Sequence, residues 1–203
     1  MRRKGHLIII SGPSGVGKGT VCEALMKMRP DLTLSISATT RKKRETEVNG
    51  ENYYFYSMDE FNDLIDNEEL LEFAQVHGNY YGTPKKFVME NLERGNDVIL
   101  EIDVQGAMQV KQNSDEGVFI FLLPPHVEDL EYRIRHRGQD AEEDICIRLG
   151  NAEKEISTLN DYDYAVINDK VDECASTISK IIDAENQRID MKLMNKYWRE
   201  FND

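Results

Sequence analysis

Three cysteines, five prolines and a single tryptophan are spread over 203 residues. Cys22, Cys146 and Cys174 are odd in number and far apart, with no Cys-x-x-Cys pair and no histidine at ligand spacing. That excludes a disulfide framework and a structural zinc site, and the three read as small buried thiols in a reducing compartment. No stretch approaches the roughly 18 consecutive apolar residues of a membrane span. Leu7 to Ile10, preceded by Arg2, Arg3 and Lys4, is too short for the core of a signal peptide, so the expectation is a cytoplasmic protein without membrane association. Positive charge is scarce: 25 Lys and Arg against 38 Asp and Glu leave a net charge of −13. This balance repels a phosphate backbone at long range and argues against nucleic-acid binding. Any anionic ligand must meet local basic clusters. Internal repeats and low-complexity tracts are missing too, which leaves one domain with local insertions.

What is present is a series of short apolar runs set between glycine, proline and polar punctuation. Leu7 to Ile10 reads as a fully buried parallel strand, followed by a helix from about Lys18 to Met28. Leu32, Leu34 and Ile36 alternate with polar residues and predict a short strand leading into a polar loop from Ala38 to Asn52. Tyr53 to Tyr56 is strand-like, and Ser57 with Glu60 forms a capping-box pattern that opens a helix. A strand over Leu70 to Val76, a turn at His77-Gly78-Asn79 and a helix opened by Pro84 and closed by Gly95 follow. Val98 to Leu100, Val118 to Leu123 and Tyr164 to Ile167 are further strands. A helix over Ala141 to Thr158 and a long C-terminal helix from Val171 to Trp198 complete the chain; the apolar face of the last packs on its own sheet or on a partner. Buried strands alternating with helices predict an α/β fold with a parallel sheet and right-handed crossovers.

Gly12-Pro13-Ser14-Gly15-Val16-Gly17-Lys18 joins the first strand to the first helix. In that context glycines let the backbone bend around a polyphosphate, amides at the helix N-terminus face the anion, and Lys18 adds a full charge near the β and γ phosphates. Gly19 stands where a hydroxyl would bind magnesium, and Thr20 follows. Glu101 and Asp103, two apart at the carboxyl end of a strand, share a face at the end where parallel sheets take ligands.

Ser37-Ala38-Thr39-Thr40-Arg41-Lys42-Lys43-Arg44, Glu47-Val48-Asn49-Gly50 with Tyr53, Tyr80-Tyr81-Gly82-Thr83, Glu101 to Gly106, Arg133 with Arg137-Gly138, Arg148-Leu149 and Ile167-Asn168-Asp169 follow one another along the chain. In order and interval this set resembles the guanylate kinase family of the bacterial type. The resemblance implies a P-loop kinase fold: a core over about 1–31, 88–125 and 159–203, a nucleoside-monophosphate-binding insert over about 32–87, and a mobile lid over about 126–158. It implies transfer of the γ-phosphoryl group of ATP to GMP, and to dGMP, with Mg²⁺. It assigns ATP to Gly12, Pro13, Ser14, Gly15, Val16, Gly17, Lys18, Gly19 and Thr20, with Asn168 near the adenine or serving as a turn former. The acceptor phosphate falls to Arg41, Arg44, Tyr53 and Tyr81, and the guanine to Ser37, Glu72, Thr83 and Asp103. Lys18, Arg41, Arg133, Arg137 and Arg148 would neutralise the transferring group. A G-K-G-T ending resembles that of nucleoside monophosphate kinases, where phosphates and water hold most of the metal; Thr20 or Glu101 would reach it through water, unless Glu101 only caps backbone. The oligomeric state stays open. Two other readings remain, a guanylate-kinase-like binding module and a P-loop enzyme with another acceptor; the intact loop and arginine set favour the kinase.

Overall fold

The first strand, β1 (Leu7–Ser11), is buried along its length and lies between β7 (Val98–Glu101) and β8 (Val118–Leu123), with Ile9 level with Leu100 on one side and Phe119 on the other. Pairing is parallel throughout this five-stranded sheet, whose order is β2-β7-β1-β8-β9, with β2 (Thr33–Leu34) and β9 (Tyr164–Ile167) at the edges. A computed structural model describes residues 4–76, 78–113, 116–136, 142–189, 194, 197–198 and 201. Arg2, Arg3, His77, Arg137, Gly138, Ala141, Met191, Leu193 and the side chain of Cys146 lie outside them.

Apolar runs without alternation form such strands because both faces are covered by helices. Ile8 and Ile10 pack with Val21, Cys22 and Leu25 of α1 (Lys18–Met28) and Cys174, Ile178 and Ile182 of α7 (Val171–Glu185). Leu7 and Ile9 pack on the opposite face with Val88 and Leu92 of α3 (Lys85–Arg94) and Ala107 and Val110 of α4 (Val104–Asn113). Cys22 and Cys174 are buried free thiols.

A second sheet of order β4-β3-β6-β5 stands apart. It comprises β3 (Ala38–Thr39), β4 (Tyr54–Phe55), β5 (Leu70–Val76) and β6 (Asn79–Pro84), with β5 and β6 antiparallel. The capping box forms as expected: Ser57 and Glu60 bond reciprocally at the start of α2 (Met58–Asp66), whose Phe61 is fully buried. Two helices, α5 (Glu128–His136) and α6 (Glu142–Ile156), lie between β8 and β9.

Three local expectations need correction. The stretch expected as a loop from Ala38 begins with β3, because Ala38 and Thr39 find partners in both β4 and β6. Pro84 is the last residue of β6 and caps α3 from outside, with Gly95 closing that helix at φ +88°. The expected helix from Val171 to Trp198 is interrupted after Glu185, where Gln187 and Arg188 N–H groups bond three residues back and the Asn186 side chain meets the His6 ring at 2.9 Å; Met194, Tyr197 and Trp198 are helical again past the break. Beyond it Ile189 and Met194 are 72% and 54% exposed, so they do not extend the face that Ile178 and Ile182 bury.

Candidate active site

The carboxyl ends of β1 and β7 and the loop 12–18 meet at one edge of the sheet, where parallel α/β sheets take their ligands. Gly17 precedes α1 in the left-handed region at φ +97°, and a Cβ there would lie 2.8 Å from Asn168 Nδ2. Only glycine fits this turn. The first turn of α1 carries no acidic residue, so its free amides keep their affinity for an anion. Lys18 Nζ donates to the Gly12 and Pro13 carbonyls at 2.6 and 3.4 Å. Burial lowers the Lys18 pKa, against the opposing fields of Glu101, Glu155 and Asp103. Glu155 also accepts from Ser14 N–H at 3.2 Å, tying the loop to α6.

Val16 and Asn168 join the loop to the end of β9. The Val16 carbonyl accepts from Asn168 Nδ2 at 2.8 Å and from Arg133 Nη1 at 3.2 Å, while Arg133 Nη2 donates to the Asn168 carbonyl at 3.1 Å. Arg133 is thus fastened to the loop. Arg133 and Asn168 line a cavity of about 360 Å³ with Gly15, Gly17 and Thr20. Asn168 Oδ1 is buried without a hydrogen-bond partner among the described residues. Arg148 lies half-buried on α6.

Glu101, level with Ile10 at the sheet's end, stands over Gly19: a Cβ at that glycine would be 3.4 Å from Glu101 Oε1. A carboxylate therefore occupies the neighbourhood where other P-loops carry a hydroxyl. Asp103 caps α4, its Oδ1 accepting from Gly106 N–H at 3.0 Å.

The second sheet carries the acceptor candidates. Arg41 makes a two-pronged ion pair with Glu47, Nη2 to Oε1 at 2.6 Å and Nη1 to Oε2 at 3.1 Å, and its guanidinium lies 5.3 Å from the Tyr53 ring centroid. The pair raises the Arg41 pKa and holds the Glu47 carboxyl below its ordinary range. The Tyr53 and Tyr81 rings meet edge to face at 6.0 Å. Burial raises the Tyr53 pKa, and the field of Glu101 adds to it. Arg44 offers Glu47 its backbone N–H at 2.8 Å, with the residue itself exposed.

Glu72 and Thr83 face each other across the β5–β6 hairpin, with Thr83 Oγ1 donating to Glu72 Oε1 at 2.6 Å. Both are buried. Burial, aided by the Asp103 field, pushes the Glu72 pKa up to about 7, against the hydrogen bond from Thr83. Ser37 is half-buried at the head of β3, its carbonyl accepting from Tyr54 N–H at 2.9 Å. Glu47 belongs to the motif Glu47-Val48-Asn49-Gly50, but its pairing with Arg41 was not expected. Its signal was a carboxylate six residues beyond an arginine, in a loop that also carries Glu45.

The sequence pattern of the family described as Guanylate kinase matches residues 4–185. The chain is 53% identical over 190 residues to a protein named guanylate kinase from Caldanaerobacter subterraneus subsp. tengcongensis, covering 94% of this chain and 92% of the relative. It is 48% identical over 203 residues to one of the same name from Lactococcus lactis, covering 100% and 98%. The crystal structure of guanylate kinase from Anaplasma phagocytophilum aligns with a TM-score of 0.78 at 35% identity, covering 92% of this chain and 89% of that one. With a family match across most of its length and relatives near half identity, the chain belongs to the guanylate kinase family.

Proposed function

We propose that the chain transfers the γ-phosphoryl group of ATP to GMP, giving ADP and GDP, with the donor on the loop 12–20 and the acceptor on the second sheet. The observation that carries the acceptor assignment is the buried Glu72 carboxylate, hydrogen-bonded by Thr83 at 2.6 Å. Guanine offers N1–H and a 2-amino group as adjacent donors, which a carboxylate accepts together. Adenine lacks that pair and leaves the carboxylate unpaired, at a cost of about 1–3 kcal/mol per buried group. Ser37 and Asp103 complete the base contacts, and Arg41, Arg44, Tyr53 and Tyr81 take the phosphate.

The acceptor is already an anion, with a second pKa of roughly 6, so no catalytic base is required. The difficulty is the approach of two polyanions, and the protein meets it with positioned charge. Lys18 and the α1 amides hold the donor phosphates; Arg41 holds the acceptor phosphate, Glu47 yielding part of its fork; Arg133, Arg137 and Arg148 approach the transferring group as the lid closes and excludes water. Mg²⁺, when bound with ATP, supplies further neutralisation. The residues that fit it are the Glu101 carboxylate and the Thr20 hydroxyl, which offer oxygen beside the loop. Magnesium keeps several waters and accepts such ligands through them. Among the described residues, no helix is long and apolar enough to cross a membrane.

A panel of GMP, dGMP, AMP, CMP and UMP with Mg-ATP, read by coupled ADP release, tests the reaction. GMP and dGMP are expected to turn over and the others not; equal turnover of AMP overturns the base-reading assignment. Arg41→Lys is expected to raise KM for GMP by about 10- to 100-fold and leave KM for ATP unchanged, since an ammonium cannot reproduce the planar fork. An unchanged KM for GMP in that variant removes Arg41 from the phosphate site.

A further inference from the structure

Helix α4 touches the guanine-reading strand at two points that the reaction itself does not explain. Gly106 is buried, and a Cβ built there would lie 2.4 Å from Glu72 Oε2 and 3.0 Å from its Cδ. The contact is far inside van der Waals separation, so the Glu72 carboxylate occupies the space that a side chain at 106 would need. One helical turn on, Gln109 Oε1 accepts from Phe73 N–H at 3.2 Å and Gln109 Nε2 donates to the Phe73 carbonyl at 2.6 Å. The amide acts as a one-residue strand partner on the outer edge of β5, immediately beside Glu72. Positions 103, 106 and 109 lie along one stripe of the helix. Asp103 caps this stripe by accepting from Gly106 N–H at 3.0 Å.

We infer that Gly106 and Gln109 are positioning residues for base selectivity: α4 serves as a template that seats the Glu72 carboxylate against Gly106 while Gln109 fixes the strand that carries it. Glu72 Oε1 is held by Thr83 and Oε2 is bounded by Gly106, so the carboxylate plane is set before guanine arrives. An acceptor pair fixed in advance loses no side-chain freedom on binding and accepts two donors at defined angles. The same helix presents Asp103, so two base contacts share one rigid support. This inference rests on Glu72 reading guanine.

The test uses Gly106→Ala, whose gain in helix propensity favours folding. Its added methyl must displace the carboxylate or the helix. A misplacement of about 1 Å costs on the order of 10²-fold, so kcat/KM for GMP and the preference for GMP over AMP are both expected to fall by about that factor, with KM for ATP within twofold. In a Glu72→Asp background, where the carboxylate is one methylene shorter, Gly106→Ala is expected to cost little further. Gln109→Met, similar in size but without either hydrogen bond, is expected to raise KM for GMP about tenfold and spare KM for ATP. A Gly106→Ala protein that keeps its GMP preference, or loses it equally in both backgrounds, overturns the inference even if Glu72→Gln abolishes discrimination. If Glu72→Gln itself still discriminates, the base-reading role of Glu72 falls and the template role falls with it.

Discussion

Lys18→Ala is expected to lower kcat by at least about 10²- to 10³-fold, the scale of removing one charged donor aimed at developing negative charge. Folding is expected to survive. Among the described residues the Lys18 ammonium donates to the Gly12 and Pro13 carbonyls at the mouth of the loop, and β1 behind it stays packed by Ile8 and Ile10. The variant also leaves the fields of Glu101, Glu155 and Asp103 without their nearby cation, which repels the donor phosphates further. Coupled ADP release with GMP measures the first effect, and far-UV circular dichroism through a thermal ramp measures the second. Undiminished turnover in a folded Lys18→Ala protein would remove the loop lysine from the transfer step.

Glu72→Gln is expected to weaken selection of GMP over AMP and, in the same protein, to raise stability. A neutral amide cannot accept both guanine donors without presenting a donor of its own, so discrimination is expected to fall by about 10²-fold or more. The pH dependence follows from the carboxyl's pKa of about 7 in the free protein. Guanine binding needs the ionised form, so KM for GMP is expected to rise about tenfold for each pH unit below 7, with a proton released on binding. The GMP phosphate also titrates at roughly 6, in wild type and variant alike, so the difference between their profiles isolates Glu72. Stability runs the other way. The folded pKa lies above the unfolded value, so the native state holds the proton more tightly. The resulting stabilisation is complete below the unfolded pKa near 4.5 and is lost as pH rises through about 7. At pH 8 the charged, buried carboxylate costs on the order of 3 kcal/mol, and the amide variant is expected to recover up to that amount, several degrees in Tm. At pH 4.5 the two proteins should melt alike. A Glu72→Gln protein less stable than wild type at pH 8 would contradict the desolvation of this group.

The two halves of the site were legible to different degrees. Gly12 to Lys18 is contiguous and bounded by an apolar run and a helix, so strand, turn and anion-binding amides are all encoded within a dozen neighbouring residues. Tyr53, Tyr81, Glu72 and Thr83 became recognisable only through resemblance, because their chemistry depends on a hairpin and two very short strands with little local signal. The Arg41–Glu47 pair illustrates the loss: six residues apart in a loop, the two sit opposite one another only because the loop folds back on itself. Arg133 is a further case. Its guanidinium donates to the Val16 and Asn168 carbonyls, 117 and 35 residues distant, a pairing with no local signal in the sequence.

Hydrophobic runs and local turn chemistry were enough to specify the central parallel sheet, the phosphate loop and the α2 cap, since each needs only a strand buried on both faces or a bond between residues three apart. Tertiary packing alone decided that the last long helix is interrupted after Glu185, where Asn186 meets His6, and that Gln109 completes the edge of β5 from 36 residues away. The second kind of contact has no local pattern: its energy comes from polar groups made neighbours by burial of the surrounding apolar chain, and that burial belongs to the whole fold.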